Sequence, residues 1–178
     1  MKILILTGSP RKNGNTEILA NAFAEGAKKN NLVETVSVSD YKVMPCMGCN
    51  FCYKSENNQC VQKDDMQKIY SKLVCADMLV IASPVYFYGV SAQLKAVIDR
   101  LHTPMRNKFA VKKMALLLVG GANISELFDS LIAQYRLVLN FFNLEDMGTV
   151  LAGGVREKGD INGSEALKKA FLLGASLA

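Results

Sequence analysis

The sequence predicts an α/β fold, a doubly wound five-stranded parallel sheet with helices on both faces. Three observations carry that expectation. Apolar runs of strand length recur five times and alternate with segments of helical periodicity. Several runs stop abruptly in small or polar residues, at Gly8-Ser9-Pro10, Ser83-Pro84 and Gly120-Gly121. No repeat, low-complexity tract or linker interrupts the pattern. The 178 residues therefore read as one domain, 1–178, with a cysteine-rich insertion at 44–63.

Lys2 to Leu6 is the first buried strand, short and apolar. Asn15 or Thr16 then caps a helix whose apolar pairs, Ile18-Leu19, Ala22-Phe23 and Gly26-Ala27, recur one turn apart. Val33 to Val38 alternates like a strand nearer the sheet edge. After the cysteine segment, Asp64 or Asp65 caps a helix running through Leu73, and Cys75 is expected in the core. Asp77 to Ala82 is the next buried strand. Ser91 to Leu101 places Leu94, Val97, Ile98 and Leu101 on one helical face, with Lys95 and Asp99 paired on its surface. Met114 to Val119 is a fourth strand, Ser125 to Phe142 a long helix, Met147 to Leu151 a fifth strand and Ser164 to Leu177 the last helix. The spatial order 2-1-3-4-5 is an expectation of this fold class, which periodicity alone does not supply.

Composition removes several function classes. Half the residues are hydrophobic and about a fifth are charged, as in ordered globular proteins. No apolar run approaches a bilayer span, so no membrane role is expected. The first strand leads straight into a glycine loop with no signal-cleavage pattern, and a soluble cytoplasmic protein is expected. The net charge is +5, yet the lysines are scattered among acids. The densest basic stretch, Arg106 to Lys113, is broken by Phe109, Ala110 and Val111. That suits weak attraction for a phosphate-bearing ligand and argues against nucleic acid as a partner. His102 is the only histidine, which excludes multi-histidine metal sites.

In a doubly wound sheet, ligands sit beyond the carboxyl ends of the strands. The loop Gly8 to Thr16 (GSPRKNGNT) has the parts of a phosphate site. Its glycines allow close backbone approach, a helix N-terminus offers N–H groups, and Ser9, Asn15 and Thr16 add donors. Arg11 adds a guanidinium that takes phosphate oxygens in pairs. The loop matches neither the Walker A pattern nor G-x-G-x-x-G. Pro84-Val85-Tyr86-Phe87-Tyr88-Gly89 ends the third strand with three consecutive aromatics, suited to a flat heteroaromatic ring. Gly120-Gly121 is small enough to let a planar ligand lie against backbone.

Four of five cysteines crowd into one segment. Cys46, Cys49 and Cys52 follow C-x-x-C-x-x-C, and Cys60 comes eight positions later. Without an export signal, this argues for metal or redox chemistry over a disulfide framework. Four thiolates in this compass can ligate a [4Fe–4S] cluster or a structural zinc, and the thiols can also stay empty.

The phosphate loop, the aromatic loop with its helix (SPVYFYGVSAQLKAVIDR) and the cysteine run (PCMGCNFCYKSENNQCVQKDDM) resemble the NAD(P)H-dependent FMN reductase superfamily. Within it they resemble the iron–sulfur flavoproteins of anaerobic microbes, over about residues 1–121. The resemblance implies a flavodoxin-like fold and an FMN-dependent oxidoreductase. FMN phosphate would lie on Ser9, Pro10, Arg11, Asn13, Asn15 and Thr16. The flavin ring would lie on Pro84 to Gly89, with Gly120 and Gly121 beyond. It also favours a [4Fe–4S] cluster on Cys46, Cys49, Cys52 and Cys60. No dedicated acid–base residue is implied, because the cofactor performs the redox step. NAD(P)H or a ferredoxin-like protein would supply electrons, and a quinone, free flavin or other small molecule would accept them. Relatives of this kind imply a homodimer or homotetramer. A non-enzymatic electron carrier or redox sensor is the competing reading.

Overall fold

Strand burial follows the apolar runs. In chain order the strands are β1 (Lys2–Thr7), β2 (Leu32–Ser37), β3 (Met78–Pro84), β4 (Lys113–Val119) and β5 (Glu145–Ala152). β1, β3 and β4 are buried almost end to end, as strands covered on both faces must be. β2 and β5 keep exposed polar positions and form the two edges. The computed structural model describes residues 1–177; residue 178, the last of the expected domain, lies outside the described residues. All neighbouring strands pair in parallel, in the order β2-β1-β3-β4-β5. Strand order reverses between β1 and β3, so the crevice beyond their carboxyl ends is the topological switch point.

The helices are α1 (Asn15–Ala27), a single turn α2 (Phe51–Lys54), α3 (Met66–Cys75), α4 (Ala92–Arg100), α5 (Asp129–Phe142) and α6 (Glu165–Ala175). Alternate strand residues serve opposite faces. Ile3, Ile5, Val80 and Leu117 pack with residues of α1 and α6, while Leu4, Leu6, Ile81 and Leu116 pack with residues of α3, α4 and α5. α1 and α6 meet backbone to backbone. A Cβ on Gly26 would lie 2.1 Å from the Phe171 carbonyl oxygen, and one on Gly174 would lie 2.2 Å from that of Phe23. Only hydrogen fits at either crossing.

Several boundaries and one burial differ from the sequence reading. α2 lies inside the cysteine segment, where no helix was expected. The long fourth-to-fifth-strand helix opens with a 3₁₀ turn, Ser125–Phe128, before α5 begins. β5 starts at Glu145, two residues before Met147. The register against β4 shifts between Met114 and Leu116, and Gly148 (φ +109°) absorbs the irregularity. Cys75 is exposed, not core. The buried stripe of α3 is Met66, Ile69, Tyr70 and Leu73, and the next position of that series falls at 76, so Cys75 turns away from it. The surface pair Lys95–Asp99 is present as expected.

Candidate functional site at the sheet switch point

The loop between β1 and α1 is held against the sheet by a close approach. A Cβ on Gly8 would lie 2.8 Å from Leu94 and 2.9 Å from the Ser91 hydroxyl, so only glycine lets the loop cross there. Ser91 caps α4 by accepting the Leu94 N–H at 3.3 Å. The N-cap of α1 is Gly14, not Asn15 or Thr16 as expected; no side chain among the described residues caps it, and its first turn is left able to donate to an anion. Ser9 Oγ accepts the Arg11 N–H at 3.2 Å and shapes the turn.

The far wall comes from the segment after β5, which sequence reasoning missed. Arg156 Nε donates to the Gly121 carbonyl at 2.9 Å, and Arg11 Nη1 donates to the Arg156 carbonyl at 3.3 Å. Two guanidinium side chains therefore border one opening. Asn15 has a different task from a free phosphate donor. Its Nδ2 donates to the Glu157 carbonyl at 2.8 Å, and its Oδ1 accepts the Gly159 N–H at 2.9 Å. Asn15 thus wires the start of α1 to the Arg156 loop. A signal was available, because Gly153-Gly154-Val155-Arg156 follows a strand with glycines and a basic residue, as Gly8 to Arg11 does.

The aromatic loop is a strained hairpin. Val85 N–H donates to the Val119 carbonyl at 2.7 Å, fixing the loop to β4. Tyr86 and Gly89 then exchange both backbone hydrogen bonds, at 2.8 and 3.0 Å. Between them Phe87 (φ +48°) and Tyr88 (φ +61°) take the left-handed conformations of a type I′ turn. Such turns favour glycine and asparagine, and a left-handed aromatic costs on the order of 1–2 kcal/mol. Phe87 is 99% exposed and gains no offsetting burial. Strain of this kind collects at ligand clamps and interfaces.

Ser9, Arg11, Thr16, Pro84, Val85, Tyr86, Gly121 and Arg156 line a single cleft of about 250 Å³, with Asn15 in its wall. Pro10 and Asn13 open onto an adjoining groove toward β2, beside Lys12 and Asp40. Asn13 is left-handed (φ +53°), and its N–H donates to Glu17 at 2.6 Å. Phe87, Tyr88 and Gly89 project beyond the cleft as the hairpin tip. Gly120 sits behind it, where a Cβ would strike Leu127 at 2.5 Å.

The cysteine segment is a loop with a built base. Asp65 accepts the Lys42 N–H at 2.8 Å, Asp64 accepts the Met44 N–H at 2.8 Å, and Gln62 donates to the Pro45 carbonyl at 3.0 Å. Asp64 also accepts the Met66 N–H at 3.2 Å, so it serves the start of α3 as expected. Its main partner is Arg100 from the end of α4, in an ion pair whose side chains are 6% and 2% exposed. Burial alone would raise the Asp64 carboxyl. Hydrogen bonds from Arg100, Met44 and Met66, with the Arg100 charge, outweigh it and hold the group below the usual carboxylate range. At the tip, Tyr53 of α2 donates to the His102 carbonyl at 3.0 Å and meets His102 Nδ1 at 3.2 Å. The sole histidine thus anchors this loop.

All five cysteines are free thiols. Cys46 and Cys49 are exposed, Cys52 and Cys60 half-buried. The Gly48 N–H donates to Cys46 Sγ at 3.5 Å, with Gly48 (φ +66°) and Asn50 (φ +56°) turning the backbone around the sulfur. Among the described residues, no three of His, Cys, Asp or Glu converge into a preformed metal group. The donor set itself, four thiols on a loop closed at its base, suits a soft metal or an iron–sulfur cluster.

A cleft beside the first turn of α1, next to an aromatic hairpin at the switch point, is the arrangement of flavodoxin-like folds. Residues 1–155 match the model of the NADPH-dependent FMN reductase family, and the chain belongs to that family. An iron–sulfur flavoprotein of Methanocaldococcus jannaschii is 41% identical over 126 residues, covering 68% of this chain and 60% of the relative. One from Archaeoglobus fulgidus is 32% identical over 184 residues, covering 100% of this chain and 79% of the relative. The chain thus spans about three-fifths of the first relative's length. An NAD(P)H:quinone oxidoreductase from Methanothermobacter marburgensis superposes with TM-score 0.78 at 18% identity, over 100% of this chain and 99% of its own. At that identity the likeness speaks for the fold. No helix among the described residues is long and apolar enough to cross a membrane.

Proposed function

We propose that this protein is a single-domain FMN-dependent oxidoreductase that takes reducing equivalents from NAD(P)H and passes them to a small-molecule acceptor or a ferredoxin-like protein. The observation that carries this reading is a cleft that brings anion donors together with Tyr86 and the backbone after β3. Arg11, Arg156, Ser9, Thr16 and the first turn of α1 would bind the phosphate. Pro84 to Tyr86 would set the ring edge against backbone groups, and Gly121 would admit the ring by its lack of a side chain. Bound FMN supplies the hydride and electron chemistry itself. The chain's own work would be binding, orientation and exclusion of water.

We further propose that Cys46, Cys49, Cys52 and Cys60 hold a [4Fe–4S] cluster, which would handle electrons singly where FMN takes pairs. Fold-closing contacts at 42–45 and 62–65 hold both ends of the loop together. The exposed apolar side chains of Phe87, Tyr88, Leu137 and Phe141 support a homodimer or homotetramer. The test is anaerobic purification, an absorbance spectrum, iron, sulfide and zinc analysis, and titration with NADH and NADPH. FMN near one per chain, bleached by a reduced nicotinamide, is expected, with iron and sulfide near four per chain. FMN that neither binds nor bleaches would overturn the oxidoreductase reading. Zinc, or no metal, beside intact FMN would overturn the cluster alone.

A further inference from the structure

We infer that the cavity between the β3–β4 face of the sheet and helices α4 and α5 binds a small apolar carboxylate, with its hydrocarbon body inside and its anionic end at Arg106 and Lys112. The inference is independent of the flavin and cluster readings. It starts from where the space lies. The cavity holds about 200 Å³, and Leu79, Ile81, Met114 and Leu116 line it from the amino-terminal halves of β3 and β4. It shares no lining residue with the cleft at the carboxyl ends of those strands. Protein interiors are close-packed, with few spaces larger than a water molecule. An apolar cavity of about 150 Å³ takes a benzene molecule, so this one suits an apolar body of about eight carbons. Ile98, Phe109, Val111, Val138, Phe142 and Leu144 pack against the core yet stay half-buried around it.

Polarity divides the lining into a body and a mouth. Tyr135 contributes its ring, because its hydroxyl is bonded at 2.7 Å to the Met114 carbonyl and at 2.7 Å to Asp146. The other polar lining residues are Arg106, Asn107, Lys112 and Gln134, and the last three are exposed, which marks the mouth. No Asp or Glu lines the cavity among the described residues. Neither Arg106 nor Lys112 forms an ion pair among those residues. Arg106 Nη1 donates to the Thr103 carbonyl at 3.0 Å and to the Tyr53 hydroxyl at 3.3 Å, and its guanidinium carbon stands 5.4 Å from the centre of the Phe141 ring. These contacts hold the side chain without neutralising its charge, and a guanidinium matches a carboxylate in shape. The segment carrying both cations is anchored as well. Ala110 N–H donates to the Leu73 carbonyl at 3.3 Å, and Lys112 N–H to the Asp77 carbonyl at 2.9 Å. Apolar walls with two cations and no acid at the mouth complement an amphipathic anion.

The test is calorimetric titration of the full chain, as purified, with octanoate, its neutral counterpart 1-octanol, and a series of shorter and longer carboxylates. Octanoate should bind saturably at one site per chain. Affinity should rise about fourfold per methylene from butanoate to octanoate, then level off by dodecanoate, which exceeds the space. Lys112→Met and Arg106→Met should each weaken octanoate about threefold to tenfold and leave 1-octanol unchanged. Val138→Phe, which fills the cavity from α5, should abolish binding of both with circular dichroism native. Should that variant fail to fold, the two cation variants carry the test alone. Affinity that keeps climbing through dodecanoate would indicate a non-specific apolar surface and overturn the inference. Octanoate binding untouched by the cation variants, or retained in folded Val138→Phe, would place the ligand elsewhere and also overturn it. So would a wild-type oligomer that ignores octanoate and that Lys112→Met or Val138→Phe dissociates in light scattering, since the space would then belong to a subunit contact.

Discussion

Removing the Arg11 guanidinium should lower affinity for FMN while leaving riboflavin, which lacks the phosphate, nearly unaffected. Arg11 forms no ion pair among the described residues; its one side-chain bond is to the Arg156 carbonyl at 3.3 Å. Its charge is therefore free to meet a phosphate. A charged hydrogen bond is worth about 1.5–3 kcal/mol when well made, and exposure of this side chain lowers that to about 1–2 kcal/mol. The expected loss is about 5- to 30-fold in Kd for FMN in Arg11→Ala. Arg156→Ala should cost a similar amount, and a little for riboflavin too, because Arg156 Nε also holds the Gly121 carbonyl. If both arginines meet one phosphate, the double variant should lose less than the sum of the two. The assay is calorimetric titration of deflavinated protein with both flavins at two salt concentrations, since a phosphate contact weakens with salt. Equal weakening of FMN and riboflavin in Arg11→Ala would refute the assignment of this loop to the phosphate.

Two further outcomes test the fold around the site. Gly26→Ala puts a methyl 2.1 Å from the Phe171 carbonyl oxygen, a backbone atom that yields only if α1 and α6 part. Overpacking of about 1–3 kcal/mol exceeds the helix-propensity gain of about 1 kcal/mol, so a lower urea midpoint is expected; a raised midpoint would contradict the close crossing. Phe87→Gly removes a left-handed aromatic that is fully exposed, and should stabilise the flavin-free protein by about 1 kcal/mol while weakening flavin binding or assembly. A Phe87→Gly protein that is less stable and binds FMN normally would mean the hairpin strain has no functional use.

The parts of this molecule that could be read from sequence are those whose cause is local. β3 is buried at every position, and burial on both faces writes itself as the uninterrupted run Met78 to Ala82. The switch-point loops were legible for the same reason, because glycines, a proline and a helix start sit next to one another in Gly8 to Thr16. Cys75 was misread although its position relative to the Met66-Ile69-Leu73 stripe already pointed outward. Arg156 and Asn15 were partly hidden because their meaning is a contact across more than 140 residues of chain.

Arg100 is the clearest case of what only three dimensions supply. In sequence it ends an amphipathic helix, where a basic residue is ordinarily a solvated cation that complements the helix dipole. Folding instead buries it against Asp64, 36 residues upstream, and leaves two donor nitrogens without acceptors among the described residues. A fold gains little stability from a buried ion pair, whose desolvation offsets most of its attraction. Stability alone therefore does not account for a guanidinium at this depth. The pair joins the end of α4 to both flanks of the cysteine loop, while the start of α4 is joined through Ser91 and Leu94 to Gly8 in the loop between β1 and α1. One nine-residue helix thus has the candidate flavin cleft at its amino end and the cysteine loop at its carboxyl end. Substitutions inside that helix are where the two sites should respond together.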